Sequence, residues 1–272
     1  MSPALVERLQ SPDPEARLRA CRDAAEHPGA VLFAEALANA LGDPVKAVAS
    51  AASDALASLA QDHAVTDVLH SALHAGEPRR ALWAALTLAR LEPPGLRALP
   101  ALVEGLGLPD TKLRWRAART LVQCGHLQPE VRPVLIGLSR DDPRPVVRRM
   151  ARHCLRELAP DDPAAAEALL AGTGDPDVPA RRAAYAALTA LLDPPKAVLL
   201  SLGEALSSEP DPACRRIATA ALAAIGAGAP EAVLAALRRA RQDPDDPDLR
   251  RGAARALDRI APEPGTPEAP GD

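Results

Sequence analysis

His70 and His74 stand four residues apart, a spacing that places two imidazoles on one face of a helix and can hold a metal ion. No Glu follows His70, as a metalloprotease HExxH helix would require, so the pair reads as a solvated helix face. The remaining histidines, His27, His63, His126 and His153, are scattered. Cys21, Cys124, Cys154 and Cys214 are also far apart, with no CxxC pair to bind zinc or run a redox cycle. Cys21 is expected near a binding face, the other three as small core residues. The chain contains no GxGxxG, no GxxxxGK[ST] and no GxSxG. No nucleophile is paired with a base. The expectation is a protein that is not an enzyme, with no cofactor and no metal.

The residues that could do chemistry of another kind are the arginines and the few aromatic side chains. From Lys112 to Arg156 there are eleven basic residues against three acidic, net +8, whereas residues 1–110 carry nine basic and fourteen acidic, net −5. A whole-chain charge of −4 therefore conceals a basic middle. Such a segment favours an acidic protein segment, a phosphate or a nucleic-acid backbone. The chain has two Trp, one Tyr and one Phe. An aromatic-rich β-sandwich or barrel cannot be built from so few rings, and neither can a base-stacking surface for single-stranded nucleic acid.

These residues are positioned by a repeat. The segments PVVRRMARHCLREL, VPARRAAYAALTALL, ACRRIATAALAAI and DLRRGAARALDRI are alike, and each follows Asp-Pro or a close variant. Equivalent anchor positions are Ala24, Leu56, Leu86, Leu121, Leu155, Leu188, Leu222 and Leu257, in steps of 30 to 35 residues. Each unit holds a short apolar helix A, as in 30–41 or 129–140, and a longer helix B that carries the anchor. Between them lies a turn such as Gly42-Asp43-Pro44 or Asp142-Pro143. Asp at the N-cap and Pro at the first helical position start the second helix, and Pro stops the first. The 29 prolines are thus punctuation. One helix pair cannot bury its apolar face alone, so the pairs must stack.

This pattern resembles the HEAT-repeat family, in particular the bacterial HEAT-like type also found in phycobilin lyase subunits. The family motif, roughly D-P-x-V-R-x-x-A-A-x-A-L-x-x-L, is matched at Asp142-Pro143 through Leu155, Asp175-Pro176 through Leu188 and Asp211-Pro212 through Leu222. The resemblance implies an all-α fold, a right-handed α-solenoid of about eight helix pairs over residues 1–261. Residues 262–272, PEPGTPEAPGD, are expected to form a disordered tail. HEAT-repeat deoxyhypusine hydroxylases bind iron through His-Glu dipeptides, and this chain has no His-Glu.

Seven residues before the anchors lie Arg17, Arg79, Arg114, Arg148, Arg181, Arg215 and Arg250, with Ala49 in the second unit. Acids such as Asp142 and Asp211 stand a few residues upstream. The resemblance implies a structural Arg/Asp ladder linking neighbouring repeats. At 100° per residue, positions −6, −3 and −2 from the anchor lie opposite the apolar stripe. In a HEAT-like array these positions would face the concave groove. They include Trp83, Trp115, Arg119, Arg149, Arg152, His153, Arg182, Tyr185 and Arg216. Trp, Tyr and Arg are the residue types enriched at binding hot spots.

The expected function is a scaffold or adaptor gripping an acidic or phosphorylated protein partner in that groove. Two readings stand behind it. A nucleic-acid binder similar to HEAT-like DNA glycosylases is opposed by the net acidic charge. A subunit similar to phycobilin lyases would handle a tetrapyrrole, but no chromophore motif accompanies it. No run of about 18 apolar residues exists to span a membrane. The absence of a secretory signal, together with separated thiols, places the expected protein in the cytoplasm.

Overall fold

A computed structural model describes residues 3–59, 62–192, 194–225 and 228–261. The tail expected at 262–272 lies outside the described residues. Every regular element among the described residues is helical. The helices pair as the repeat predicts. They are α1 (Pro3–Leu9) with α2 (Pro14–Glu26), α3 (Ala34–Ala40) with α4 (Lys46–Ser58), α5 (His63–Ala72) with α6 (Pro78–Leu91), and α7 (Leu99–Gly105) with α8 (Thr111–Leu127). There follow α9 (Val131–Asp141) with α10 (Pro145–Leu158), α11 (Pro163–Ala171) with α12 (Val178–Leu188), α13 (Lys196–Ser208) with α14 (Pro212–Ile225), and α15 (Glu231–Ala240) with α16 (Pro247–Ile260).

The helices gather into two compact units, Met1–Val131 and Arg132–Asp272. In the first, the B helices pack in series, α2 on α4, α4 on α6 and α6 on α8; in the second, α10 packs on α12, α12 on α14 and α14 on α16. The A helices form a second layer, with α1 on α3 and α3 on α5 in the first unit, and α11 on α13 and α13 on α15 in the second. This is a helical repeat solenoid. All eight anchor residues are buried between the layers.

The turns explain the regularity of the repeat. The Asp before a B helix caps it: Asp110 accepts from the Leu113 N–H at 3.0 Å, Asp177 from Ala180 at 2.9 Å and Asp246 from Leu249 at 2.9 Å. A second acid, earlier in the turn, accepts from the N–H two residues on. Asp43, Asp142, Asp175 and Glu209 all do this, at 2.8 to 3.0 Å. Orphan donors at the helix start are thereby satisfied.

The ladder arginine ties this turn to the next repeat. Nη1 of Arg148 donates to the carbonyl of Asp142 in its own turn at 2.9 Å, while Nε and Nη2 grip Asp175 of the following turn at 2.7 and 2.8 Å. Arg17 binds Ser11 O and Asp43 in the same way, and Arg181 binds Asp175 O and Glu209. Arg114 and Arg250 keep the carbonyl half of the pattern, to Leu108 and Asp243. Arg79 reaches back to Pro44 O instead, at 3.2 Å. The buried Nε of Arg215 has no hydrogen-bond partner. In the complete links, the carboxylate partner of each arginine is the acid of the next turn, and the upstream acid of its own turn serves the backbone.

Candidate functional site

The residues expected to face solvent divide sharply by column. Positions −6 and −2 are largely exposed or half-buried: Trp115, Arg119, Arg182 and Arg216 are exposed, and Arg149 and His153 are half-buried. Position −3 is not. Trp83 is 1% exposed, Arg152 2% and Tyr185 4%. The expectation that these three form part of an open binding face is therefore corrected.

The physical reason is visible in their contacts. Position −3 points forward onto the next repeat. Ser53 shares a hydrogen bond with Thr87 at 2.8 Å, and Tyr185 donates to Glu209 at 3.3 Å. Arg152 donates to the Ala180 carbonyl at 3.0 Å and lies 2.8 Å from Asp175. A helix in a solenoid is covered on its flanks by neighbouring B helices as well as beneath by the A layer. The buried arc is wider than a single apolar stripe suggests. Cys21 shares this column and is fully buried, so it lines no binding face either.

Burial changes the role of Trp83. The Arg116 guanidinium lies over its ring, 4.8 Å from the centroid. Trp83 is thus a platform that fixes a cation in place. Around it gather Arg90 on α6 and Arg119 on α8. Burial depresses the Arg116 pKa, and the charges of Arg90 and Arg119 add to that effect against the opposing charge of Asp54. Arg90 donates to Asp54 at 2.8 Å. Asp54 thus pairs with Arg90 and lends its opposing charge to Arg116. Trp115, 45% exposed, stands one helical turn before Arg119. Arg90 and Arg116 were absent from the expected site because neither occupies a column opposite the apolar stripe. The charge imbalance after Lys112 was the signal that could have included Arg116.

In the second unit Arg182 and Arg216 are paired. Arg182 donates to both oxygens of Asp211, at 3.0 and 2.7 Å. Arg216 lies 3.3 Å from Asp246 and 3.1 Å from Asp248. His153 has its pKa lowered by burial and by the charges of Arg149 and Arg156. His70 faces Glu92 at 3.2 Å, and no group of three His, Cys, Asp or Glu suited to a metal occurs among the described residues.

A family model describing HEAT repeats matches residues 66–156, 99–189 and 199–270. The chain belongs to the HEAT-repeat family. The match is to HEAT repeats as such and does not distinguish the phycobilin-lyase type. Among curated proteins, none matches the sequence. Among solved structures, an engineered protein is 23% identical over 94% of this chain and 77% of its own, with a TM-score of 0.50. Human deoxyhypusine hydroxylase in complex with glycerol is 23% identical over 96% of both chains, with a TM-score of 0.41. A structure from work on the phosphorylation switch between cadherin and beta-catenin is 17% identical over 94% of this chain and 60% of its own, with a TM-score of 0.48. The first likeness is one of fold, and at their TM-scores the other two decide nothing about this chain. HEAT repeats make this a protein-interaction scaffold, on a fold that is typically non-catalytic. No helix among the described residues is long and apolar enough to cross a membrane.

Proposed function

We propose that this HEAT-repeat protein is a non-catalytic adaptor that holds an acidic or phosphorylated segment of a partner protein on the exposed faces of its B helices. The observation that carries this reading is the cluster of Arg90, Arg116 and Arg119 in the first unit, with Asp54 as its counter-charge. Arg116 is held by the Trp83 ring before any partner arrives, so little side-chain entropy is lost when an anion binds. Trp115 adds an exposed aromatic surface beside the cations, the pairing typical of interface hot spots. Charge-assisted hydrogen bonds from guanidinium groups to carboxylate or phosphate supply the selectivity. Four buried, unbridged thiols accord with work in a reducing compartment such as the cytoplasm.

The test is fluorescence anisotropy of the full chain with a labelled peptide carrying a phosphoserine among glutamates. Arg116→Glu and Arg119→Glu should each weaken binding about tenfold, with strong salt dependence in the wild type. Unchanged affinity in both variants overturns the reading. Duplex DNA displacing the peptide through the same arginines would favour nucleic-acid binding instead.

A further inference from the structure

The second unit carries a separate cationic groove. It runs between α14 and α16 with a volume of about 530 Å³, lined by Arg216, Ala220, Ala223, Gly252, Arg255, Asp258 and Arg259. Its floor has no side chain larger than a methyl group. Gly252 keeps the approach close: a Cβ there would come within 3.2 Å of Thr219 Cγ2. The walls are arginines of unequal state. Arg216 is already neutralised by Asp246 and Asp248. Arg255 is exposed and makes no ion pair among the described residues. Arg259 reaches only the Ala223 carbonyl, at 3.4 Å.

The equivalent groove in the first unit, between α2 and α4, provides the contrast. It has similar size, about 490 Å³, and the same small floor of alanine and serine. Where α16 has Arg255 and Arg259, α4 has Asp54 and Ser58. The α2 side differs as well, with Leu18, Arg22 and Glu26 lining its groove, so a B-helix groove recurs with a different charge in each unit. A small floor lets a peptide backbone lie close, and the walls then read the charge of its side chains.

We infer that the α14–α16 groove is a second docking site, taking a carboxylate-bearing acidic segment of a partner protein, with Arg255 and Arg259 as its cationic contacts. Charge complementarity selects this occupant: Arg216 is already satisfied, and Arg255 and Arg259 outweigh the one carboxylate of the lining, Asp258. The site shares no residue with the Arg90–Arg116–Arg119 cluster and extends the adaptor reading without depending on it.

Isothermal titration of the full chain with an oligoglutamate peptide at low salt tests this. The wild type should bind two peptides, one per site. Ala220→Trp fills the groove without altering charge and should leave one. Arg255→Gln, a surface change that spares the floor, should weaken the same event about tenfold. Arg116→Glu should remove the other event alone. In Arg116→Glu, loss of one event with the groove event intact is the result expected of two separate sites. If Arg116→Glu changes nothing, the first-unit reading fails while this one stands. If both Ala220→Trp and Arg255→Gln bind like the wild type, the groove is not a docking site.

Discussion

Arg152, 2% exposed, places its guanidinium 2.8 Å from the carboxylate of Asp175, which Arg148 grips from the same helix one turn earlier. Two cations thus share one buried anion at the junction of the fifth and sixth repeats. The second cation is kept from being a liability by the Ser139 and Ala180 carbonyls, which accept from Nη2 and Nη1 at 2.7 and 3.0 Å.

Removing the anion should be costly. Asp175→Ala leaves two guanidinium groups facing each other in the interior, and a loss of about 3–5 kcal/mol is expected from the denaturant midpoint.

The same pair predicts a pH dependence. Burial alone would raise the Asp175 pKa, but hydrogen bonds from Arg148, the Asp177 N–H and Arg152 outweigh it and hold the carboxyl well below the ordinary range. A depressed carboxylate contributes stability that is present above the unfolded pKa, about 3.9, and is lost as pH falls toward the folded value. The stability difference between wild type and Asp175→Asn should therefore be full at neutral pH and shrink below about pH 4, as read by urea unfolding.

Gly172 makes room for this arrangement. A Cβ there would come within 2.7 Å of Arg152 Nε and 2.9 Å of Cζ. Gly172→Ala should cost about 1–3 kcal/mol by overpacking. The cost should fall markedly when measured in an Arg152→Ala background, because the crowded atoms are then gone. Equal costs in both backgrounds would show that Arg152 is not the obstacle.

The two tryptophans should report their different environments. Trp115→Phe leaves Trp83, whose emission should be blue-shifted and shielded from iodide. Trp83→Phe should leave a red-shifted, readily quenched signal from Trp115. Trp83→Ala should destabilise the fold by about 3–5 kcal/mol, whereas Trp115→Ala should change stability little.

The thiols should be inert while the chain is folded. Burial pushes Cys21, Cys154 and Cys214 up to about 12, and all four cysteines are buried. A thiol reagent at about pH 8 should label none of them until denaturant is added, and then all four. Rapid labelling of Cys21 in the native protein would contradict its placement between α2 and its neighbours.

The repeat, the helix pairs and their starts are written in local chemistry. Asp-Pro before a run of small and apolar residues carries its own N-cap, first-turn residue and stop signal. Asp110, Asp177 and Asp246 needed no distant partner to be recognised as caps. The anchors likewise follow from periodicity, because one buried stripe per helix is a local pattern. What periodicity could not convey is how many sides of a helix are covered. Trp83, Arg152 and Tyr185 lie well away from the apolar stripe on a helical wheel, yet the next repeat closes over them. Only tertiary packing decided that Trp83 supports Arg116, that Arg152 joins Arg148 on Asp175, and that Arg255 is left facing an open groove. The reason is that burial and charge pairing here are properties of the contact between successive B helices, and that contact joins residues about thirty positions apart.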